Sequence, residues 1–202
     1  MADDVATLKQ ENEALRRQLE DEVGTLNRLI QVTTMLNSTL NLQDLLQLIM
    51  DSASDLLNAE TSSLMLVDEE TGELTFDVAT GESGQEVVKY RVPPGQGIAG
   101  WVVQNAQPVV IDDPNTDNRF YNRIDKSIGF ETRNILAVPL QVKDRVIGVV
   151  EVINKKGAPT FSKKDLELAT ALTNQASVAI DNTRMYARLA DAVVTSRLSY
   201  RL

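Results

Sequence analysis

Hydrophobic positions recur every seven residues at the start of this 202-residue chain. The a and d positions of the repeat are Val5, Leu8, Asn12, Leu15 and Leu19, continued less regularly by Leu26, Leu29, Thr33, Leu36 and Leu40. An Asn at an a position, with opposite charges at the flanking positions, is typical of a parallel two-stranded coiled coil. The pattern predicts a dimerisation helix over residues 1–40. Packing of this helix on its own domain is the alternative, above all beyond Gly24.

The next segment has the period of a short amphipathic helix, which Asn41 is predicted to cap and which ends near Asn58. From Thr61 the period changes to the alternation typical of strands. The predicted strands are Ser62–Val67, Glu73–Thr80, Glu86–Val92, Pro108–Ile111, Asn134–Val142 and Arg145–Asn154. The further predicted helices are Gly97–Asn105, Tyr121–Ile128 and a long C-terminal helix with Ser162 as its cap and Asp165 at the capping-box position.

This order of elements predicts an α+β fold. We expect an antiparallel sheet of about six strands with helices on both faces, flanked by the N-terminal coiled-coil helix and the long C-terminal helix. The predicted domain covers residues 41–185, and residues 186–202 extend the last helix. An apolar stripe on that helix is predicted to contribute to a parallel homodimer; its members are Leu172, Ala179, Tyr186, Leu189 and Val193.

Composition narrows the function classes. The chain has 20 Lys and Arg against 29 Asp and Glu, a net charge of −9, so nucleic-acid binding is not expected. It has no Cys and no His, which removes thiolate chemistry, the commonest general base and the commonest metal ligands. The longest apolar run, Ile135–Leu140, is far shorter than the roughly 20 residues of a membrane span. We therefore expect a cytoplasmic protein without membrane insertion that is not an enzyme.

The segment from Gly95 to Gly100 reads Gly-Gln-Gly-Ile-Ala-Gly and opens a predicted helix. A dinucleotide-binding site would need a parallel βαβ unit, which the surrounding pattern does not predict. The amides of Ile98 and Ala99 at the helix start are nonetheless donors suited to an anion. The alternative is that these glycines only make a tight turn.

Two acidic features remain. The run from Asp113 to Asp117 resembles the start of a calcium loop, but Ile124 stands where the bidentate Glu is needed, so an Asx turn is predicted and no metal site. Glu151 lies in a very apolar strand, where alternation places it on one face with Val149 and Ile153. A carboxylate there either lines a pocket or lies on an exposed face.

Taken together, four stretches resemble the GAF domain family over residues 25–185. They are Pro94-Gly-Gln-Gly-Ile-Ala-Gly-Trp-Val, Asp117-Asn-Arg-Phe-Tyr, Gly129-Phe-Glu-Thr-Arg-Asn-Ile-Leu-Ala-Val-Pro-Leu and Ile147-Gly-Val-Val-Glu-Val-Ile-Asn-Lys. The sequence is most similar to the cyclic-nucleotide-binding branch. The structural signature of that branch is matched by Asn154, Lys155, Phe161 and Asp165, while Leu166 replaces its final Glu.

The resemblance implies a ligand-binding set, and implies that the Lys155–Asp165 pair holds the fold. That set is Ser63, Ile98, Ala99, Tyr121, Asp125, Thr132 and Glu151. Ser63 would lie near the base, the amides of Ile98 and Ala99 would bind the cyclic phosphate, and Asp125 facing a guanine edge would favour cGMP. Ile128 replaces a Thr of the branch.

Two functions follow as hypotheses. The first is a regulatory sensor that requires no cofactor, binds cGMP or cAMP, closes the segment 112–132 and passes the change through its flanking helices to a dimer and a downstream signalling protein. The second is a dimerisation or docking scaffold that binds no small molecule.

Overall fold

The computed structural model describes residues 10–20, 23–24, 42–81 and 84–199, with residue 85 and residues 186–199 described by their backbone only. Residues 10–20 are helical (α1), as are residues 23 and 24. The following elements are α2 (Leu42–Leu56), β1 (Ala59–Val67), β2 (Leu74–Ala79), α3 (Gly84–Val87), β3 (Arg91–Val92), α4 (Gly97–Asn105) and β4 (Val109–Ile111). A 3₁₀ turn (Pro114–Thr116) precedes α5 (Arg123–Ile128), β5 (Ile135–Val142), β6 (Arg145–Lys155) and α6 (Lys163–Ser199).

The six strands form one sheet in the order β3-β2-β1-β6-β5-β4, and every neighbouring pair is antiparallel. The central strands β1, β6 and β5 are the longest and the richest in buried apolar residues. β-Branched and aliphatic side chains suit such a sheet because both of its faces are covered. The predicted α+β class with a six-stranded antiparallel sheet is confirmed.

Each face of the sheet carries its own apolar cluster. On one face, α2 and α6 pack on alternate residues of β1, β5 and β6, and residues such as Leu45, Leu64, Leu136 and Leu172 are almost fully buried. On the other face, α4 packs on β5 and β6, with Val102 at its centre. Helices therefore lie on both faces, and the second face carries the loops that enclose the candidate site.

The turns behave largely as predicted. Ser162 Oγ accepts from the Asp165 amide at 3.2 Å while Asp165 Oδ2 accepts from the Ser162 amide at 2.7 Å, which confirms the capping box. Asp113 Oδ1 accepts from the Asn115 amide at 3.0 Å, as expected of an Asx turn. Helix α5 begins at Arg123, two residues later than predicted.

Two predictions are wrong. The predicted strand Glu86–Val92 starts at the end of the short helix α3 and continues as a turn, and only Arg91–Val92 pairs with β2. A chain turn at Gly84, packed closely on the Ala79 carbonyl, starts this helix before a strand can form. The predicted apolar stripe of the last helix also divides, because Leu172 and Ala179 are buried against the sheet and do not present a face to a partner.

Several predictions lie outside the described residues, namely the Asn41 cap, the side chains of Tyr186, Leu189 and Val193, and the repeat positions at Val5 and Leu8 and from Leu26 to Leu40. Within α1, Leu15 is 64% exposed and Leu19 is 61% exposed. Both apolar positions of the repeat that the structure describes therefore face outward from this chain. In the described ranges no helix is both long and apolar enough to cross a membrane.

Candidate functional site

A cavity of about 550 Å³ lies on the α4 face of the sheet, within the size range of small-molecule sites. Its floor is formed by β1 and β6, and its walls come from the start of α4, from α5 and from the loop that follows α5. The structure brings together all seven residues predicted to bind ligand: Ser63, Ile98, Ala99, Tyr121, Asp125, Thr132 and Glu151. They are far apart in sequence, so the fold alone assembles them.

Ser63 and Glu151 form the polar part of the floor. They are directly opposite each other in the antiparallel pair β1–β6, on the face that also carries Met65 and Ile153. The Ser63 hydroxyl is buried, and it makes no hydrogen bond to any of the described residues. On its other side Glu151 is opposite Ala137 of β5.

The Glu151 carboxyl accepts no hydrogen bond from any part of the chain that the structure describes. Burial raises its pKa to about 7, and the nearby charge of Asp125 adds to this effect. The sequence left open whether this carboxylate lines a pocket or faces solvent. Its place on the cavity floor settles that question in favour of the pocket.

The start of α4 forms the second polar part of the cavity. Gly95 and Gly97 both have positive φ, at 76° and 72°, so the chain can turn sharply into the helix. The first N–H groups of a helix have no intrahelical acceptor, and Gln96 at the N-cap supplies no side-chain cap. The amides of Ile98 and Ala99 are therefore donors beside the cavity, at the positive end of the helix dipole.

Helix α5 and the loop behind it form the outer wall. Burial raises the pKa of Asp125, although hydrogen bonding from the side chain and the amide of Thr132 partly offsets this. The Tyr121 hydroxyl accepts from Arg123 Nη1 at 3.4 Å. Asp125 is thus already hydrogen-bonded within the chain, which distinguishes it from Glu151.

All the charged residues that line the cavity in the described ranges are acidic: Glu60, Asp125 and Glu151. Hydrogen bonds from Arg133 and Asn154 lower the pKa of Glu60, so its charge is compensated. The other two carboxyls have no basic partner in the cavity. Across the same part of the chain no group of three or more acidic side chains is arranged to hold a metal ion.

Most of the apolar wall of the cavity was not predicted from the sequence. Phe76, Phe120, Ile124 and Phe130 line the cavity beside the predicted residues. Phe76 could have been found, because strand alternation places it on one face of β2 with Leu74. The other three lie in the segment 112–132, whose polar pattern carried no such signal.

The structural signature residues join the sheet to α6. Lys155 Nζ donates to Asp165 Oδ1 at 2.7 Å and to the Leu57 carbonyl at 2.9 Å. Asn154, fully buried, accepts from the Arg133 amide at 2.7 Å and donates to Glu60 and to the Glu131 carbonyl. Phe161 is buried, and its ring lies under Lys155 Nζ. The network thus links the loop carrying Thr132 to the first turn of α6.

A model of the GAF domain family matches residues 41–180. The chain belongs to the GAF domain family. The match confirms the resemblance that the four sequence stretches indicated. GAF domains are regulatory modules that bind small ligands such as cyclic nucleotides.

Two of the curated relatives that this GAF domain matches are named as 3′,5′-cyclic phosphodiesterases. The chain is 28% identical over 165 residues to the probable 3′,5′-cyclic phosphodiesterase pde-5 of Caenorhabditis elegans, covering 76% of this chain and 22% of the relative. It is 32% identical over 161 residues to the dual 3′,5′-cyclic-AMP and -GMP phosphodiesterase 11 of Drosophila melanogaster, covering 73% and 11%. The chain therefore spans only about a fifth and a tenth of these two proteins.

Solved structures confirm the fold. The GAF domain of a phosphoenolpyruvate-protein phosphotransferase from Coxiella burnetii superposes with a TM-score of 0.73 at 22% identity, covering 81% of this chain and 96% of that chain. The free methionine-R-sulfoxide reductase of Neisseria meningitidis superposes with a TM-score of 0.68 at 18% identity, covering 80% and 91%. Likeness at this level of identity concerns architecture only.

The two departures from the branch pattern fall in different places. Ile128 lines the cavity, so an apolar side chain takes the position of a hydroxyl. Leu166 packs against the apolar cluster under α6, away from the cavity. Only the first of them can touch a ligand directly.

Proposed function

We propose that this GAF domain is a regulatory, non-catalytic module that binds a cyclic nucleotide, cGMP or cAMP, and transmits the binding to its flanking helices. The observation that carries the proposal is the buried, unpartnered hydroxyl of Ser63 on the floor of a 550 Å³ cavity. Leaving such a group unpaired costs free energy, so a ligand that pairs with it gains affinity.

The remaining walls suit the two ends of a cyclic nucleotide. The amides of Ile98 and Ala99 offer donors to a singly charged cyclic phosphate. Phe76, Phe120 and Phe130 offer apolar surface for a flat base. Names of the curated relatives support the same ligand class.

A route from the cavity to α6 supports the transmission step. Thr132 lines the cavity, the Arg133 amide donates to Asn154, and Lys155 pairs with Asp165 at the start of α6. In the proposal, the segment 112–132 closes over the ligand and shifts this network. The Arg119 guanidinium of the same segment lies 4.4 Å from the centre of the Trp101 ring of α4. This contact would hold one end of the segment against α4 as it closes.

Calorimetric titration with cGMP and cAMP tests the proposal, after extraction has shown whether nucleotide co-purifies. We expect binding at micromolar concentration or tighter, and its loss in the Tyr121→Ala/Asp125→Ala double variant. Lys126→Ala, exposed on the same helix and outside the cavity, is the control and should bind like the parent. Undiminished binding by the double variant would reject this site.

The second candidate is a dimerisation scaffold without a small ligand, favoured by the exposed Leu15 and Leu19 of α1. The sensor and the scaffold both predict a parallel homodimer that recruits a downstream signalling protein. Light scattering at tens of micromolar tests the dimer, with Leu15→Glu/Leu19→Glu as the variant expected to be monomeric. A dimer that binds neither nucleotide would favour the scaffold.

A further inference from the structure

We propose that the Ser63–Glu151 pair on the cavity floor is the base-reading element of this domain, and that it selects guanine over adenine. The inference rests on the proposed function, because it assumes that the ligand is a cyclic nucleotide. It assigns to Glu151 the selectivity that the resemblance to the family gave to Asp125.

The three carboxylates of the cavity differ in whether their oxygens already accept hydrogen bonds from the chain. Asp125 already accepts hydrogen bonds from Thr132, and Glu60 from Arg133 and Asn154. Glu151 accepts none from the described residues, so its two oxygens are the ones that a ligand can satisfy. A carboxylate with both oxygens free prefers a pair of adjacent N–H donors, as it does in bidentate pairs with Arg.

The Ser63 hydroxyl lies next to the Glu151 carboxyl on the cavity floor. Residues directly opposite in an antiparallel pair have Cβ atoms about 5 Å apart, so the Ser63 hydroxyl and the Glu151 carboxyl can contact one flat ligand side by side. A hydroxyl both donates and accepts. Carboxylate beside hydroxyl matches the guanine edge, with N1–H and the 2-amino group on Glu151 and the O6 acceptor on Ser63.

Adenine fits this edge poorly. Its N1 is an acceptor, which would lie against the carboxylate with no proton between them. A site built around a hydrogen bond rejects an analogue that lacks it strongly, because the buried group is then left unpaired. The selectivity of the pair therefore depends on Glu151 being ionised.

Protonation of Glu151 changes this preference, since a neutral carboxyl can donate to adenine N1 and accept from its 6-amino group. The titratable groups that line the cavity around it are Asp125 at α5, Tyr121 before α5 and Glu60 of β1. Its direct neighbour on β5 is Ala137, and the Gln96–Ala99 start of α4 adds no ionisable side chain. With Glu151 half-ionised near pH 7, the preference for guanine should grow as pH rises from 6 to 8.

Binding of cGMP and cAMP to the full chain at pH 6, 7 and 8 is the test, by calorimetry on the parent, Glu151→Gln and Asp125→Asn. We expect the parent to bind cGMP at least about tenfold more tightly than cAMP at pH 8. At pH 6 this ratio of affinities should be smaller by a factor of about five or more. Glu151→Gln should lose the preference for cGMP, because an amide presents one donor and one acceptor and can pair with either base edge, and should lose the pH dependence. Asp125→Asn should weaken both nucleotides together and keep the preference for cGMP, with its pH dependence moved to lower pH because one charge that raises the pKa of Glu151 is removed.

The outcomes separate the two proposals. If neither nucleotide binds the parent, the proposed function fails and this inference with it. If both bind equally, if cAMP is preferred, or if the preference does not change with pH, the inference alone is wrong. A preference that moves in Asp125→Asn and not in Glu151→Gln would assign base reading to Asp125. The parent's pH series needs no substitution, so the result does not depend on a variant folding.

Discussion

Lys155 Nζ lies 2.7 Å from Asp165 Oδ1, and this ion pair fastens the end of β6 to the first turn of α6. Both side chains are largely buried, at 14% and 11% exposure. Burial alone would raise the pKa of Asp165, but hydrogen bonds from Lys155 and Ser162 lower it below its usual value. The helix that extends from the domain is therefore held at its origin by a charge-assisted contact to the cavity's sheet.

Lys155→Met should lower the free energy of unfolding by about 3 kcal/mol, because it leaves Asp165 as a buried charge without its cation. Urea unfolding at pH 7 measures this. The control is Lys163→Met, which removes an exposed 3.8 Å contact to Glu167 and should cost less than about 0.5 kcal/mol. Equal effects of the two substitutions would show that the Lys155 pair contributes no more than a surface contact.

Glu151 should make the protein less stable as pH rises. Its pKa is about 7 in the folded chain against 4.5 for an unperturbed glutamate, so the native state holds the proton more tightly than the unfolded state. The resulting stability is fully present below about pH 4.5 and is lost as pH rises through 7, for a total of about 3 kcal/mol. Glu151→Gln removes this loss, so the variant should gain stability relative to the parent between pH 5 and pH 8.

Thermal unfolding of the parent and Glu151→Gln across that range is the measurement. Glu60→Gln is the control on the neighbouring strand, because hydrogen bonds from Arg133 and Asn154 hold the pKa of Glu60 low. The stability that Glu60 supplies is complete above about pH 4.5 and is lost only below it, so the difference between parent and this control should stay constant across the range. A constant difference between parent and Glu151→Gln at all pH values would mean that Glu151 does not titrate in this range.

Strands β5 and β6 were predictable because their apolar runs are long and a two-residue turn, Lys143–Asp144, separates them. Period-2 alternation also placed Glu151 correctly on the face of Val149. Helix α3 was not predictable, since a close approach of Gly84 to the Ala79 carbonyl decides it and local sequence does not encode that contact. The division of the α6 stripe depends likewise on which helix face meets the sheet.

The candidate site shows the same limit. The set of ligand-binding residues was predicted from the resemblance to the family. The amide donors at the start of α4 were predicted from the spacing of the glycines between Gly95 and Gly100. Neither could show that Asp125 is satisfied by Thr132 while Glu151 and Ser63 are not, because hydrogen-bond satisfaction is a property of the assembled cavity. That difference decides which carboxylate is assigned to the ligand.

Gly100 of α4 packs closely against the backbone of Gly95, in the loop that precedes the helix, and leaves no room for a side chain. A Cβ at this position would lie 2.6 Å from the Gly95 carbonyl carbon and 2.9 Å from its Cα, both backbone atoms that cannot turn away. Gly100→Ala should therefore displace the loop, lower the free energy of unfolding by about 2 kcal/mol and weaken nucleotide binding at the Ile98 and Ala99 amides. Gly24→Ala, with no atom within 4 Å, is the control and should leave both unchanged. Denaturant unfolding and calorimetry measure the two effects.

Ser62 and Ser63 are adjacent on β1 and point to opposite faces of the sheet. Ser62 Oγ donates to the Met50 carbonyl at 3.2 Å and lies 2.7 Å from Ser54 Oγ, whereas the buried Ser63 hydroxyl has no partner among the described residues. Ser62→Ala should lower the free energy of unfolding by about 1 kcal/mol, because it removes made hydrogen bonds. Ser63→Ala should leave the ligand-free protein unchanged or more stable, because it removes an unpaired buried hydroxyl.

The same pair separates stability from binding. Ser63→Ala should weaken nucleotide binding by about tenfold, because it removes a hydroxyl that would hydrogen-bond only to the ligand. Ser62→Ala should bind like the parent once folded. Urea unfolding without ligand and calorimetric titration with cGMP provide both readouts on one pair of proteins. A Ser63→Ala variant that is destabilised and binds normally would mean that this hydroxyl stabilises the fold and does not contact the base of the nucleotide.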